Sequence, residues 1–294
     1  METGNSAINT DKDSNEFQRI DSSFDADLSY RYLLGLIISN EALKAIVYDP
    51  ENSSFLATLH AKFDPEKETS IELEKCLNSI PWLKQSYKDV KVGIANDYAT
   101  LIPESVYNSE ILEEVFQLNF GKPENWEVTS DKLLNAEARQ IFGFPNWIRN
   151  TLEKQFETVS IYHCSSPVFE FLLGRQQGNP DTNVHLDLNL PYLSICVIKD
   201  GKIQLANTLK FTTLSELVYQ VLYAFKKLAL NPEETMLCLS GDVRHADAAF
   251  NELYRFVRHV EFIQDENESQ WAESLRSLDK HNVFNLTRLL RCEL

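Results

Sequence analysis

Residues 184–211 read VHLDLNLPYLSICVIKDGKIQLANTLKF. They divide into three strand-like runs, Val184 to Leu190, Tyr192 to Lys199 and Lys202 to Phe211. Asp200-Gly201 is a two-residue hairpin turn, because both positions tolerate positive φ. Thr213-x-x-Glu216 follows and is a capping box, so a helix begins there. Leu214, Leu217, Val218, Val221, Leu222, Phe225 and Leu228 give that helix one apolar stripe, and Asn231-Pro232 stops it. Thr235 to Leu239 predicts a fourth strand closed by Ser240-Gly241-Asp242. A helix over Ala246 to Val260 and a short strand over Glu261 to Ile263 complete the unit.

The first half repeats this order. Tyr32 to Ile38, Ala42 to Tyr48 and Phe55 to Phe63 read as three strands, with a turn at Asp49-Pro50-Glu51-Asn52. Tyr32 to Ile38 is a nearly continuous apolar run, as expected of a buried central strand. Thr69-x-x-Glu72 is a second capping box, and Leu73, Cys76, Leu77 and Ile80 form the stripe that Pro81 ends. Val90 to Ala95 is a fourth strand. Ser109 to Leu118 is a helix with Ile111, Leu112, Val115 and Phe116 inward. Residues 121–157 are less regular, with a strand over Arg139 to Phe144 and a helix over Pro145 to Phe156. Val159 to Cys164 and Pro167 to Leu173 read as a strand and a short helix. Ile37 aligns with Asp187, Phe63 with Phe211, Thr69 with Thr213 and Asp97 with Asp242, at offsets of 150, 148, 144 and 145. Such drift is what loop-length changes produce, and two copies of this size indicate a duplicated domain. The expected organisation is therefore a disordered acidic tail over 1–27, a first domain over 28–176 with an insertion at about 121–157, and a second domain over 177–294, joined at the Gly174–Asp181 stretch.

Composition narrows the function. Across 294 residues, 44 acids against 28 bases give a net charge of −16, and no basic stripe is present. Nucleic acid is therefore an unsuitable partner. No apolar run reaches the ~18–20 residues that span a bilayer, so no membrane insertion is expected. Residues 1–23 lack an apolar signal core, which points to the cytoplasm. Five widely spaced cysteines without C-x-x-C read as buried hydrophobes in a reducing compartment, and no metal site is predicted. G-x-G, the P-loop, G-x-S-x-G and H-x-x-x-H are all missing. Lys44 reads as a solvated edge residue, and Asp265 to Glu268 as a solvated loop.

This order of elements resembles the duplicated ribonuclease-H-like fold of the actin/Hsp70/sugar-kinase superfamily. It is similar to the actin-like ATPases of pilus assembly and to a family of bacterial proteins of unassigned function that share the fold. The likeness implies an α/β protein with mixed five-stranded sheets flanked by helices, repeated twice around a cleft. Gly35 to Ala45 is similar to the first phosphate hairpin of those ATPases, Leu186 to Ile195 to the second, and Leu239 to Asp242 to the adenosine-binding loop. ATP with Mg²⁺ would then face Ser39, Asn40, Asp187, Asn189, Ser240, Gly241 and Asp242. The motifs depart from the family at the positions that matter. Where the ATPases place Asp-x-Gly, the first hairpin reads Ile37-x-Ser39 and the second Asp187-x-Asn189, followed by Pro191. Glycine lets main-chain amides approach phosphate, and the carboxylates hold Mg²⁺. The expectation is a non-catalytic pseudo-ATPase scaffold without catalytic residues or cofactor, acting through a protein partner bound at the insertion. The alternatives are an ATPase with an altered phosphate site, in which Asp187 and Asp242 hold the metal, or a metal-dependent ribonuclease-H-like nuclease on the same two carboxylates.

Overall fold

A computed structural model describes residues 16–176, 181–264 and 271–292. The stretch up to residue 15, the middle of the expected linker (177–180) and the 265–268 run lie outside the described residues. The first sheet holds β1 (Glu16–Ile20), β2 (Leu33–Ile38), β3 (Ala42–Asp49), β4 (Ser54–Lys62), β5 (Asp89–Ile94) and β9 (Val159–His163), in the order β1-β4-β3-β2-β5-β9. The second holds β10 (Asn183–Asn189), β11 (Tyr192–Lys199), β12 (Lys202–Lys210), β13 (Met236–Gly241) and β14 (His259–Phe262), in the order β12-β11-β10-β13-β14. Without β1, both sheets show one succession: third, second, first, fourth, fifth strand. The mixed α/β architecture and its duplication thus stand as expected.

The first sheet has six strands rather than five, because part of the supposed tail is a strand. β1 pairs antiparallel with β4, from Glu16↔Ala61 to Ile20↔Ala57. An edge strand is held mainly by main-chain bonds and needs only one covered face, so a polar composition does not forbid it. The insertion also starts earlier than residue 121. β6 (Ala99–Pro103), β7 (Trp126–Leu133) and β8 (Ala138–Pro145) form an antiparallel sheet in the order β6-β8-β7. α2 (Leu112–Phe120) rests on it through Phe116, the buried residue of the helix, while Ile111, Leu112 and Val115 are only partly buried. Phe116 lies so close over Gly143 that a Cβ there would sit 2.5 Å from its ring.

The two expected capping boxes fare differently. At α5 (Leu214–Lys227), the Thr213 hydroxyl accepts the Glu216 N–H at 3.2 Å and the Glu216 carboxylate accepts the Thr213 N–H at 3.3 Å. At α1 (Thr69–Ser79) no box forms: Glu68 is the cap residue and has no side-chain bond. Glu72 instead accepts the Asp64 N–H at 3.2 Å and pairs with Lys75, while the Thr69 hydroxyl donates to the Asn40 carbonyl at 3.4 Å. α3 (Asn146–Glu153) follows β8 directly, and α4 (Ser166–Gln176) follows β9. α6 (Ala248–Tyr254) stops short of Val260 because His259–Phe262 pairs with β13. α7 (Phe284–Arg291) was not foreseen.

By packing, the chain forms two units. The first comprises Met1–Gly93, Trp147–Ile161 and Glu266–Leu278, and carries the six-stranded sheet but for the last residues of β5 and β9. Trp271, 1% exposed, is buried here against Phe55 at 4.6 Å between ring centroids. Residues 271–278 therefore belong with the first sheet, not with the second repeat. The second unit comprises Ile94–Asn146, Tyr162–Asp265 and Asp279–Leu294. The sequence boundary at 176–177 marks where the strand order restarts, near β10; packing sorts the chain differently, since α4 and the three-stranded sheet group with the second unit. In that unit Val184, Leu186, Leu188, Leu193, Ile195 and Val197 pack against Leu217, Val221 and Phe225 of α5. On the other face of the sheet, Cys196 and Ile198 meet Phe169 and Leu173 of α4. α7 packs on α4 with Phe284 edge-on to Phe171 at 5.4 Å and the Arg288 guanidinium 4.3 Å over the Phe171 ring. Among the described residues no helix is long and apolar enough to cross a membrane.

Asp21 ties the returning C-terminal stretch to the first sheet. It accepts the Ser23 N–H (2.9 Å), the Ser23 hydroxyl (2.6 Å) and the Ser274 N–H (2.9 Å). Burial works to raise its pKa, but these hydrogen bonds more than offset it and hold the carboxyl at about 2. A depressed carboxyl stabilises the fold above its unfolded pKa, and that stability drains as pH falls toward 2. Asp21→Asn should weaken the fold at neutral pH and flatten the stability loss between about pH 4 and 2. Urea midpoints of both proteins across that range give the reading; parallel acid limbs would show that Asp21 is not so held.

Candidate functional site

The first hairpin is closed by its own atoms. The Ser39 hydroxyl accepts the N–H groups of Glu41 and Ala42 at 3.2 and 3.0 Å, and the Ser39 N–H donates to the Ala42 carbonyl at 3.0 Å. Asn40 is exposed at the tip, and its carbonyl receives Thr69. Ile37, where the ATPases carry an acid, is 2% exposed and pairs with Lys44 across β2 and β3. Lys44 is not a solvated edge residue. It is 5% exposed, because β3 runs between β2 and β4 in the sheet interior. Ser39 and Asn40 lie in the first unit, and the other five expected site residues in the second.

Those five meet where β10 ends against β13. The two strands run parallel, with Asp187 opposite Ser240 and Leu188 opposite Gly241. Strand alternation sends Val184, Leu186 and Leu188 into the α5-side core and leaves His185, Asp187 and Asn189 on the other face. That face is covered too: these three are 3%, 1% and 3% exposed. Buried polar groups need partners, and Asp187 has them. The Ser240 hydroxyl donates to its Oδ1 at 2.5 Å. The Asn189 amide donates to its Oδ2 at 2.5 Å, and the Asn285 amide of α7 reaches the same oxygen at 3.3 Å. Asn285 also donates to Asn189 Oδ1 at 2.6 Å.

His185 extends the array. With the Ser240 proton on Asp187, His185 Nε2–H must be the donor across the 3.0 Å contact to Ser240 Oγ. Burial lowers the His185 pKa to about 3, so the ring is neutral, and its Nδ1 has no partner. Neither His185 nor Asn285 carried a sequence signal beyond, for His185, sharing a strand face with Asp187.

Gly241 and Asp242 form the end of the β13 crossover. Gly241 has φ +84°, and a Cβ there would lie 2.0 Å from the Leu188 carbonyl oxygen. The Asp242 N–H donates to that carbonyl at 2.6 Å. The turn before α7 backs the loop. His281 Nε2 donates to the Val243 carbonyl at 2.7 Å, and the Asn282 amide, oriented with nitrogen toward the carbonyls, reaches Gly241 O at 2.7 Å. The glycine is thus required by close main-chain approach within the fold. Among the described residues no three His, Cys, Asp or Glu side chains converge as metal ligands. Burial raises the thiols of Cys76 and Cys238 to about 11, and none of the five cysteines is in a disulfide.

A second buried array, also missed in the sequence, joins the three-stranded sheet to the start of α4. Asp131 of β7 accepts the His163 N–H at 2.8 Å and the Ser166 hydroxyl at 2.5 Å. His163 Nε2 donates to the Asn96 carbonyl at 3.0 Å, which leaves Nδ1 to accept from Gln140 (2.9 Å) and Ser165 (2.7 Å). Burial raises the Asp131 pKa to about 7, against the pull of Ser166 and His163, and lowers that of His163 to about 4.

Two outcomes test these assignments. Gly241→Ala drives a Cβ into the Leu188 backbone and should cost at least ~1–3 kcal/mol, seen as a lower urea midpoint with an unchanged slope. A midpoint equal to the wild type would refute the close approach. Asp131 has a raised pKa, so the unfolded chain ionises first and its ionisation erodes stability as pH rises from about 4 through 7. The Tm of Asp131→Asn should therefore gain on the wild type over that interval, and a constant difference would contradict the assignment.

Solved structures establish the fold. A Bacteroides thetaiotaomicron protein with actin-like ATPase fold and unknown function matches with a TM-score of 0.79 at 23% identity, over 92% of this chain and 100% of that one. A PilM–PilN type IV pilus biogenesis complex matches with a TM-score of 0.59 at 12% identity, over 88% of this chain and 98% of that one. No curated protein matches the sequence. The chain has the actin-like ATPase fold, and residues 21–260 match a family model described as "Protein of unknown function (DUF3822)", so the chain belongs to that family.

Proposed function

We propose that this chain is a non-catalytic actin-like scaffold, a pseudo-ATPase that works through a protein partner. One observation carries the reading. Asp187, the acid kept at the two phosphate hairpins, is 1% exposed with both oxygens hydrogen-bonded inside the protein. A carboxylate that holds Mg²⁺ needs a lone pair open to the ion or to its water shell. Here Ser240, Asn189 and Asn285 point donors at those lone pairs, so the donor set does not fit a magnesium–nucleotide. The first hairpin supports the same reading, since Ile37 offers no ligand and the Ser39 hydroxyl is taken by main-chain amides. Asp242 would place a further negative charge beside a nucleotide.

A neighbour of the same fold, PilM, is found in a complex with PilN. This supports action through a partner protein. The net charge of −16 disfavours nucleic acid in that role. Five cysteines outside any disulfide suit the cytoplasm.

Thermal unfolding with and without millimolar Mg²⁺–ATP tests the reading. A ligand at a hundred times its Kd adds ~2.7 kcal/mol of stability, a shift of several degrees in a chain of this size. The scaffold predicts no shift with ATP, ADP or GTP. A clear shift that requires Mg²⁺ would overturn it and restore the altered-site ATPase.

A further inference from the structure

The insertion carries a helix that is only half used by its own fold. α2 anchors through Phe116, which lies against Gly143 of β8 and 5.1 Å from the Phe120 ring. Val115 and Leu118 of α2, with Ile111 at the end of the 3-10 turn (Ser109–Ile111) that leads into it, form a separate row, about a third of a turn away from Phe116. The row is apolar and faces outward: Leu118 is 87% exposed, and Ile111 and Val115 are only partly buried. Isolated exposed aliphatic residues are ordinary, but a row at i, i+4, i+7 is the pattern by which one helix docks another.

A second row runs beside it. Glu110, in the leading 3-10 turn, and Glu114 of α2 stand about one turn apart on the same flank, with Gln117 next along. Both acids are exposed, and neither is engaged in an ion pair among the described residues. Like charges one turn apart repel and weaken a helix. Glu113 adds a third carboxylate to the first turn. The face thus pairs an apolar row with an unneutralised acidic row, and both lie on an insertion to the repeated core, where specific function usually resides.

We infer that this face of α2 is the docking site for a basic amphipathic segment of a partner protein. Its apolar side chains would cover Ile111, Val115 and Leu118, and Lys or Arg beside them would pair with Glu110 and Glu114. The inference rests on the partner-binding reading above and names the chemistry of that partner. A polyanion is disfavoured by the carboxylates, and a second copy of this chain, itself strongly acidic, meets like charge.

A displayed library of random peptides, panned on the full-length protein, tests it. The expected result is enrichment of sequences with apolar residues at i and i+3 or i+4 beside Lys or Arg. Synthetic versions should bind at least ~10-fold more weakly to Leu118→Glu and to Glu110→Lys/Glu114→Lys. Glu68→Lys/Glu74→Lys, which changes the net charge equally on exposed positions elsewhere, should bind like the wild type. Because Leu118 is exposed, Leu118→Glu should unfold at the wild-type temperature, which separates lost docking from lost folding. Enriched peptides that ignore Leu118→Glu would overturn this site and leave the partner reading standing. Equal weakening in both charge variants would reduce the effect to net charge and overturn it. A concentration-dependent dimer in sedimentation that Leu118→Glu abolishes would assign the face to a second copy and overturn it as well. An Mg²⁺-dependent ATP shift, by contrast, would remove the scaffold reading whatever the peptides do.

Discussion

A carboxylate taken out of water must have its lone pairs filled, and Asp187 sets much of the second unit by that requirement. Its oxygens fix the Ser240 rotor, the Asn189 amide and the position of Asn285 on α7. Ser240 in turn fixes the tautomer of His185. Removing the Asp187 carboxylate would leave buried donors unmatched, at ~1–3 kcal/mol each. The parallel register of β10 and β13 and the approach of Gly241 to Leu188 are consistent with this: a slip of one residue would turn Asp187 into the aliphatic core.

The same chemistry bears on the proposed loss of a nucleotide site. A phosphate site leaves main-chain amides pointing outward and carboxylates open to metal. In this chain the first hairpin folds its amides onto Ser39, and the second covers its acid with amide side chains. Asn189 and Asn285 supply to Asp187 the donors that the water shell of a bound ion would otherwise supply. The polar network is kept, but its partners are internal.

Much of the fold was legible in the sequence because its strands are buried and therefore read as continuous apolar runs. Tyr32 to Ile38 and Tyr192 to Lys199 differ from β2 and β11 by at most a terminal residue, and the Thr213–Glu216 box is formed as written. What escaped has physical causes. β1 is an edge strand held by its backbone, so Glu16 and Arg19 masked it. Thr69 and Glu72 have the spacing of a cap, but Asp64, Lys75 and Asn40 compete for their side chains. Lys44 looked solvated because its burial depends on β3 being interior, a property of sheet order. At the site, the family resemblance grouped Asp187, Asn189, Ser240, Gly241 and Asp242, and the parallel pairing of β10 with β13 sets these residues side by side. The partners that decide their role, Asn285, His185 and Asn282, come from contacts that spacing does not encode. Asp131, Gln140, His163 and Ser166 escaped for the same reason.

The insertion completes the picture. The repeated sheets have one strand order, and the three-stranded sheet with α2 is added to it. The proposed scaffold rests on a second hairpin whose acid is bonded internally, together with a surface added to the repeated sheets. The most direct test of that claim is isothermal titration of Mg²⁺–ATP into the full chain. If Asp187 serves the fold, the titration shows no saturable heat at millimolar nucleotide. A one-to-one isotherm that vanishes without Mg²⁺ would contradict it, because the ion could bind only by displacing Ser240, Asn189 or Asn285 from the carboxylate.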